Sequence, residues 1–281
     1  EQAAGMAGAY TALFSDASAE SFYNPGALGF VKAKSMSAST SVFKKIDTKY
    51  GEYTDFTTAS LRVNQGFFHG IPAASGSITN FHDWICTLSI MVPDYDTFNG
   101  EVRSTSDSVS LLSYNDETLW VGGSVSHQVS ETDSVGISLY YTARNFTRSV
   151  RERRYPSTSS AVLASEEKTI HGNSVVAILG YLRRFDQNWS FGIAFRPPSL
   201  RVAGNGSYFQ SKVETNPYST TNLDIVDEKT HTKIPFKINS GIAYTEPEHF
   251  TISADISFYG AENYLDFDQI VAADRVIHRP T

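Results

Sequence analysis

Residues 5–29 read GMAGAYTALFSDASAESFYNPGALG, and everything after them has a different character. The first half is rich in Gly and Ala, so a short helix starting over Gly5–Tyr10 could pack closely against a wall. Ser15 and Asp16 are helix-capping or turn residues. Pro25 bars Asn24 from the helical region, so any helix must end before it. Residues 1–32 are therefore expected to form a compact N-terminal hatch, with an arm lying on a surface as the plain alternative. Residues 33–281 form the main domain.

From Lys34 the hydrophobic period becomes two. Ser35–Phe43 alternates weakly, and in Tyr53–Asn64 Leu61 and Val63 share a face. Trp84, Cys86, Leu88, Ile90 and Val92 oppose Thr87 and Ser89. Val121, Val125 and Val129 oppose Ser124, Ser126 and Gln128. Val135, Ile137, Leu139 and Tyr141 oppose Gly136, Ser138 and Thr142. Val175, Ala177, Leu179 and Tyr181 share a face. Phe191, Ile193 and Phe195 oppose Ser190, Gly192 and Ala194. Ile252, Ala254, Ile256 and Phe258 oppose Ser253, Asp255 and Ser257. The polar faces are small and hydroxyl-rich, whereas a soluble antiparallel sheet usually puts Lys and Glu on its wet face. Small polar residues suit a confined interior. The pattern predicts an all-β chain, an antiparallel transmembrane β-barrel of about ten or eleven strands, with a soluble β-sandwich whose core is the alternating apolar face as the alternative.

The bulk numbers agree. The chain has 281 residues, 41% of them apolar, and a net charge of −7, which argues against a nucleic-acid partner. No run of ~18 apolar residues could span a bilayer as a helix, a test that barrels escape. Aromatic residues make up 13% of the chain, enough for girdles at two membrane interfaces. The single cysteine, Cys86, excludes an intrachain disulfide. The first residue is Glu1 and no signal peptide is visible, so the N-terminus reads as mature or trimmed.

Connections look alternately short and long. Ser130–Asp133, Asp186–Asn188 and Glu246–His249 are tight turns. Arg151–Lys168 and Tyr208–Lys233 read as long polar loops, giving the periplasmic-turn and extracellular-loop asymmetry of outer-membrane barrels. Gly66–Asn80 breaks the alternation and is expected to be a turn, a bulged strand or an inward excursion. Pro93 argues for an edge, bulge or kink.

Three groups of residues carry the resemblance. They are Gly5–Ala12, Asp16-Ala17-Ser18 and Tyr23-Asn24-Pro25-Gly26-Ala27-Leu28. Together they resemble the N-terminus of the FadL/TodX-type transporters, which carry long-chain fatty acids and hydrocarbons across Gram-negative outer membranes. Trp189–Pro197 and Ile234–Asp255 are similar to later strands of that family. The resemblance implies a 14-stranded barrel whose lumen holds a helical hatch with an Asn-Pro-Ala motif. Here the motif reads Asn24-Pro25-Gly26. The strand count and the ending Arg279-Pro280-Thr281, in place of a terminal aromatic, are those expected of a chain lacking its C-terminal strands.

The resemblance further implies passive, cofactor-free transport of a hydrophobic, fatty-acid-like molecule, with sideways exit through the wall. Ligand-binding or gating residues would be Phe22, Tyr23, Asn24, Pro25, Gly26, Phe67 and Phe68. Wall kinks would lie at Gly66, Gly70, Pro72 and Pro93. Arg144, Arg148, Arg151, Arg153 and Arg154 form a cationic cluster suited to lipopolysaccharide phosphates or a substrate carboxylate; a solvated loop is the bland alternative. The rival function is a non-transporting barrel that anchors protein partners of a secretion or surface assembly.

Catalytic and metal chemistry finds no footing. Ala203-Gly204-Asn205-Gly206-Ser207 lacks a following Lys-Ser/Thr, no Gly-x-Ser-x-Gly elbow is present, and the seven histidines are scattered. On a strand, Ser126 and His127 point to opposite faces.

Overall fold

A computed structural model describes residues 9–14, 17–31, 36–42, 47–50, 60–64, 70–81, 83–105, 108–157, 160–246, 249–267 and 275–278. Its strands are β1 (Met36–Val42), β2 (Asp47–Tyr50), β3 (Ser60–Asn64), β4 (Gly70–Phe81), β5 (Trp84–Thr105), β6 (Ser108–Gln128), β7 (Asp133–Ser157) and β8 (Ser160–Arg184). They continue as β9 (Trp189–Arg196), β10 (Leu200–Thr215), β11 (Tyr218–Lys229), β12 (Lys237–Glu246), β13 (Phe250–Tyr259), β14 (Glu262–Leu265) and β15 (Arg275–His278). All but β14 and β15 join one curled antiparallel half-barrel sheet, with the order β1-β4-β5-β6-β7-β8-β9-β12-β13 along its base.

Burial is inverted relative to a soluble sheet. Ser124, Ser126, Ser134, Ser138, Ser174 and Ser190 are buried, while Leu88, Leu139, Ile193, Ile252 and Ile256 stand exposed, Ile256 at 79%. Water on the outer face would leave these large side chains unburied, at a cost of ~1.5–3 kcal/mol each. A hydrocarbon surround removes that cost, which is the energetic logic of a membrane barrel. Aromatic rings gather at the short-turn end: Trp84 lies 4.8 Å from His127, and Trp189, Tyr244 and Phe250 form a continuous cluster.

The tight turns are held by their own polar side chains. Asp186 Oδ1 accepts from the backbone N–H groups of Asn188 and Trp189, both at 2.7 Å. Asp133 accepts from Ser130, Thr132 and the Tyr181 hydroxyl, the last at 2.5 Å. These bonds, that of Tyr181 first, hold the Asp133 carboxyl down at about 2. A carboxyl lowered in the folded state stabilises fully above its unfolded value of about 3.9, and that stability is lost as pH falls towards 2. Acid unfolding of the wild type should therefore accelerate between pH 4 and pH 2 more than that of Asp133→Asn. Gel migration of unboiled samples across that range measures it, and parallel profiles would refute the assignment.

Two sequence expectations need correction. Arg151–Lys168 and Tyr208–Lys233 are not long loops. β7 and β8 stay paired out to Arg154↔Val162, and β10 and β11 out to Thr215↔Tyr218. These extensions carry no simple alternation because neither face meets hydrocarbon, yet neighbouring ladders still satisfy their backbone groups. The count of ten or eleven strands also falls short of the fifteen segments, because long strands are interrupted. Three interruptions follow one another across the wall, at Pro197–Ser199, Thr230–Phe236 and Gly260–Ala261. Pro197 and Pro198 cannot donate to a ladder. The base strand β9 pairs with Leu179–Arg184 of β8, whereas β10 pairs higher on the same strand.

Pro93 sits at a register shift between Met91 and Asp94, a β-bulge. Gly66–Asn80 resolves from Gly70 onward as a bulged strand, with a register shift on its β1 pairing beside Pro72. Gly66, Phe67 and Phe68 lie outside the described residues, as do Ser15, Asp16 and the expected helix start at Gly5–Gly8. Among the described residues a helix, α1 (Ala17–Tyr23), is followed by a 3-10 turn over Pro25–Phe30.

Candidate functional site

The N-terminal segment lies on the inner face, and Asn24 is its keystone. Asn24 is extended, with φ −157° and ψ 96°, as a residue before proline must be. Its Oδ1 accepts from Gly26 N–H at 3.0 Å. Its Nδ2 donates to Thr11 O at 2.7 Å and to Tyr181 O on the wall at 3.0 Å. Ser138 and Ser190 donate to the carbonyls of Ser21 and Ala12, at 2.6 and 2.7 Å. Thr11 N–H donates to Asp255 Oδ2 at 2.8 Å, and Ser253 to Ala9 O at 2.6 Å. The small hydroxyl residues of the inner faces thus satisfy the irregular backbone of the segment.

Close approach explains Asn24-Pro25-Gly26. Pro25 and Gly26 rest on Gly136 and Gly180, a cross-strand pair of β7 and β8. A Cβ on Gly26 would come within 2.8 Å of the Gly180 and Tyr181 backbone. Alanine at the third motif position would collide with the wall, so glycine there is a packing requirement.

Phe22 points away from this contact into an aromatic floor. Its ring meets Trp120 edge-on at 5.4 Å, and Trp120 lies 5.6 Å from Tyr140. The apolar inner side of β8, with Val176 and Ile178, packs here too. Arg196 stands over this floor, with its guanidinium 5.9 Å from the Trp120 ring.

Above the floor opens a cavity of about 800 Å³. Its apolar lining includes Phe146, Ile170, Ile234 and Tyr259, and its charged lining Arg144, Arg148, Lys168 and Arg196. Arg144 grips Asp116 with both prongs, Nε to Oδ1 at 2.8 Å and Nη2 to Oδ2 at 2.5 Å. Arg148 pairs with Glu166. The interrupted wall supplies the remaining side. Thr230–Phe236 turns inward over Gly172, and Ser199 stitches it with two bonds to Ile234. Glu262–Phe267 closes the top, where Lys168 pairs with Asp266, and Phe267 is buried against Ile170 and Tyr208.

Solved structures share this architecture. The Ralstonia pickettii toluene transporter TbuX aligns with a TM-score of 0.58 at 14% identity, over 99% of this chain and 78% of its own. CymD, a monoaromatic hydrocarbon channel, aligns at 0.63 and 15%, over 99% and 74%. The P. putida toluene transporter TodX aligns at 0.61 and 14%, over 92% and 69%. The chain has the barrel fold of TbuX, CymD and TodX. No family model and no curated protein sequence matches it.

Against that fold, the expected site residues separate. Asn24, Pro25 and Gly26 are buried and clamped to the wall, and Phe22 and Tyr23 border a small void beside Arg196. Gly70, Pro72 and Pro93 lie in β4 and β5, on the far side of β6 from the wall interruptions. The five arginines are not one cluster. Arg144 and Arg148 line the cavity, whereas Arg151, Arg153 and Arg154 are exposed on the extended hairpins. Sequence reading missed Arg196, Trp120, Lys168 and the paired prolines. Pro197-Pro198 was a legible signal, since two adjacent residues without N–H groups cannot continue a ladder.

Proposed function

We propose that the protein is a non-catalytic, passive outer-membrane transporter for hydrophobic small molecules of the fatty-acid type. Substrate enters the cavity from the extracellular side, waits above the plug formed by the N-terminal segment, and leaves sideways through the wall once the plug shifts. The reading rests chiefly on the cavity lining, in which apolar and aromatic side chains stand beside Arg144, Arg148 and Arg196 in a confined space. Such a lining complements an apolar chain with a carboxylate head, since a guanidinium has five N–H donors and Arg144 gives only its Nε and one Nη2 donor to Asp116. TbuX and TodX are toluene transporters, which supports an apolar cargo for this barrel too.

Reconstituted vesicles test the proposal. Uptake of a fluorescent long-chain fatty acid should be saturable and faster than in protein-free vesicles, and faster than uptake of the matching alcohol. The pair Arg144→Leu with Asp116→Leu removes the charges together and should reduce the preference for the acid over the alcohol. Uptake no faster than in protein-free vesicles would overturn transport. A stoichiometric protein complex around such an inactive barrel would instead make it an anchor of a larger assembly.

A further inference from the structure

The outward arginines sit in a second, separate setting. Val109, Arg153, Leu163 and Val213 form one row across β6, β7, β8 and β10, and Leu111, Arg151, Ser165 and Ser211 form the next. These residues border a depression of about 460 Å³, which Glu152 and Ala164 also line, so its two arginines outnumber one carboxylate. Leu111 and Leu163 are nearly half exposed, and the Arg153 guanidinium lies 4.6 Å from the centre of the Tyr155 ring. On β7 these positions have the same parity as Leu139 and Tyr141, so they continue the outer face of the barrel.

Charge separates them from the lumen arginines. Arg144 and Arg148 are each matched by a carboxylate. Among the described residues, no carboxylate makes an ion pair with Arg151 or Arg153. Height matters as well. Arg151 follows Tyr141, the last large apolar outward residue before it on β7, by ten positions, which is about 33 Å along a strand. At a tilt of ~40° it stands ~25 Å above that residue. Outward Asn145, Thr147 and Ser149 fill the interval. The groove therefore lies above the acyl chains, at the level of a sugar-phosphate layer.

We propose that this groove binds the phosphorylated core oligosaccharide of lipopolysaccharide. Arg151 and Arg153 grip phosphate oxygens, while Tyr155, Leu111 and Leu163 take the C–H faces of the sugars. The proposal rests on the outer-membrane reading of the barrel but not on what the lumen carries. An acidic protein is disfavoured as occupant because a groove on the membrane-continuous face is surrounded by lipopolysaccharide at that height.

The test uses the detergent-extracted protein and purified lipopolysaccharide, native or stripped of phosphate, with binding read by native mass spectrometry. Charge reversal in the double variant Arg151→Glu, Arg153→Glu should weaken binding of native lipopolysaccharide by roughly tenfold or more, and stripping the phosphates should do the same to the wild type. The Arg144→Leu, Asp116→Leu pair should bind like the wild type. Gel migration before and after boiling, together with membrane fractionation, shows whether the double variant is a folded outer-membrane barrel. If it fails to fold, Arg151→Gln with Arg153→Gln replaces it. Equal binding by folded variants, or equal loss of an anionic phospholipid, would overturn the proposal. A wild type absent from the outer membrane would remove the reading beneath it.

Discussion

Replacing Asn24 with alanine is expected to free the N-terminal segment while leaving the barrel folded. The side chain makes three hydrogen bonds within 3.0 Å, one of them to the wall carbonyl of Tyr181 and one to Thr11 of the segment itself. Each contributes about 1 kcal/mol net, and donors or acceptors left unpaired in a buried place cost more, so the loss is on the order of 3 kcal/mol or above. No compensating interaction is available to alanine, and Asn24 is fully buried. The wall strands keep all their ladder bonds, so unboiled Asn24→Ala should still migrate as a folded barrel. Its segment should become open to protease, and its conductance in a planar bilayer should rise. Gly180→Leu attacks the same contact from the wall side and should act more strongly, because a side chain there would occupy the place of Asn24 and Pro25. Wild-type conductance and protease resistance in both variants would show that the segment is not held by this contact.

The second large effect is expected at the roof of the cavity. The side chains of Lys168 and Asp266 are only 2% and 9% exposed, and they pair with each other. Removing one partner of a buried pair leaves an uncompensated charge, at a cost of about 3–5 kcal/mol, whereas replacing both with apolar residues is often neutral. Lys168→Met should therefore release the roof segment, including the backbone bond from His231 N–H to Asp266 O and the Thr230↔Phe267 bridge. Lys168→Met combined with Asp266→Leu should restore it. Deuterium exchange at Tyr264–Phe267 reads both: about a hundredfold or more faster in the single variant and near wild type in the double one. Equal exchange in all three proteins would mean that Phe267 packing alone holds the roof.

The barrel was legible because its signal is local. A strand with hydrocarbon on one side and a narrow polar interior on the other must alternate, and each segment carries that statement in eight or ten residues. Hence the alternating residues Phe191, Ile193 and Phe195 lie within β9, and Ile252, Ala254, Ile256 and Phe258 within β13. Asn24-Pro25 likewise ends a helix by the geometry of its own backbone. Pro93 had to interrupt a ladder wherever it lay, and it lies in a bulge. The inner side of β8 was harder: Val176, Ile178 and Leu182 are apolar on a face that alternation would make polar, because there the wall meets Phe22, Phe30 and Ala27 rather than water.

What depended on tertiary structure were relations between distant residues. Five arginines within eleven positions look like one cluster, yet strand parity sends Arg144 and Arg148 to a lumen where Asp116 and Glu166 await them, and turns Arg151 and Arg153 outward. Gly136 and Gly180 are ordinary small residues until the pairing of β7 with β8 places them together beneath Pro25. The cavity exists because breaks in separate strands, near residues 198, 233 and 260, adjoin one another across the wall. The sequence by itself determined the alternation, the helix-ending motif and the membrane-barrel class, since each follows from neighbours a few residues apart. Only the register between strands decided which side chains share a space, because register is set by the whole ladder and no single strand contains it.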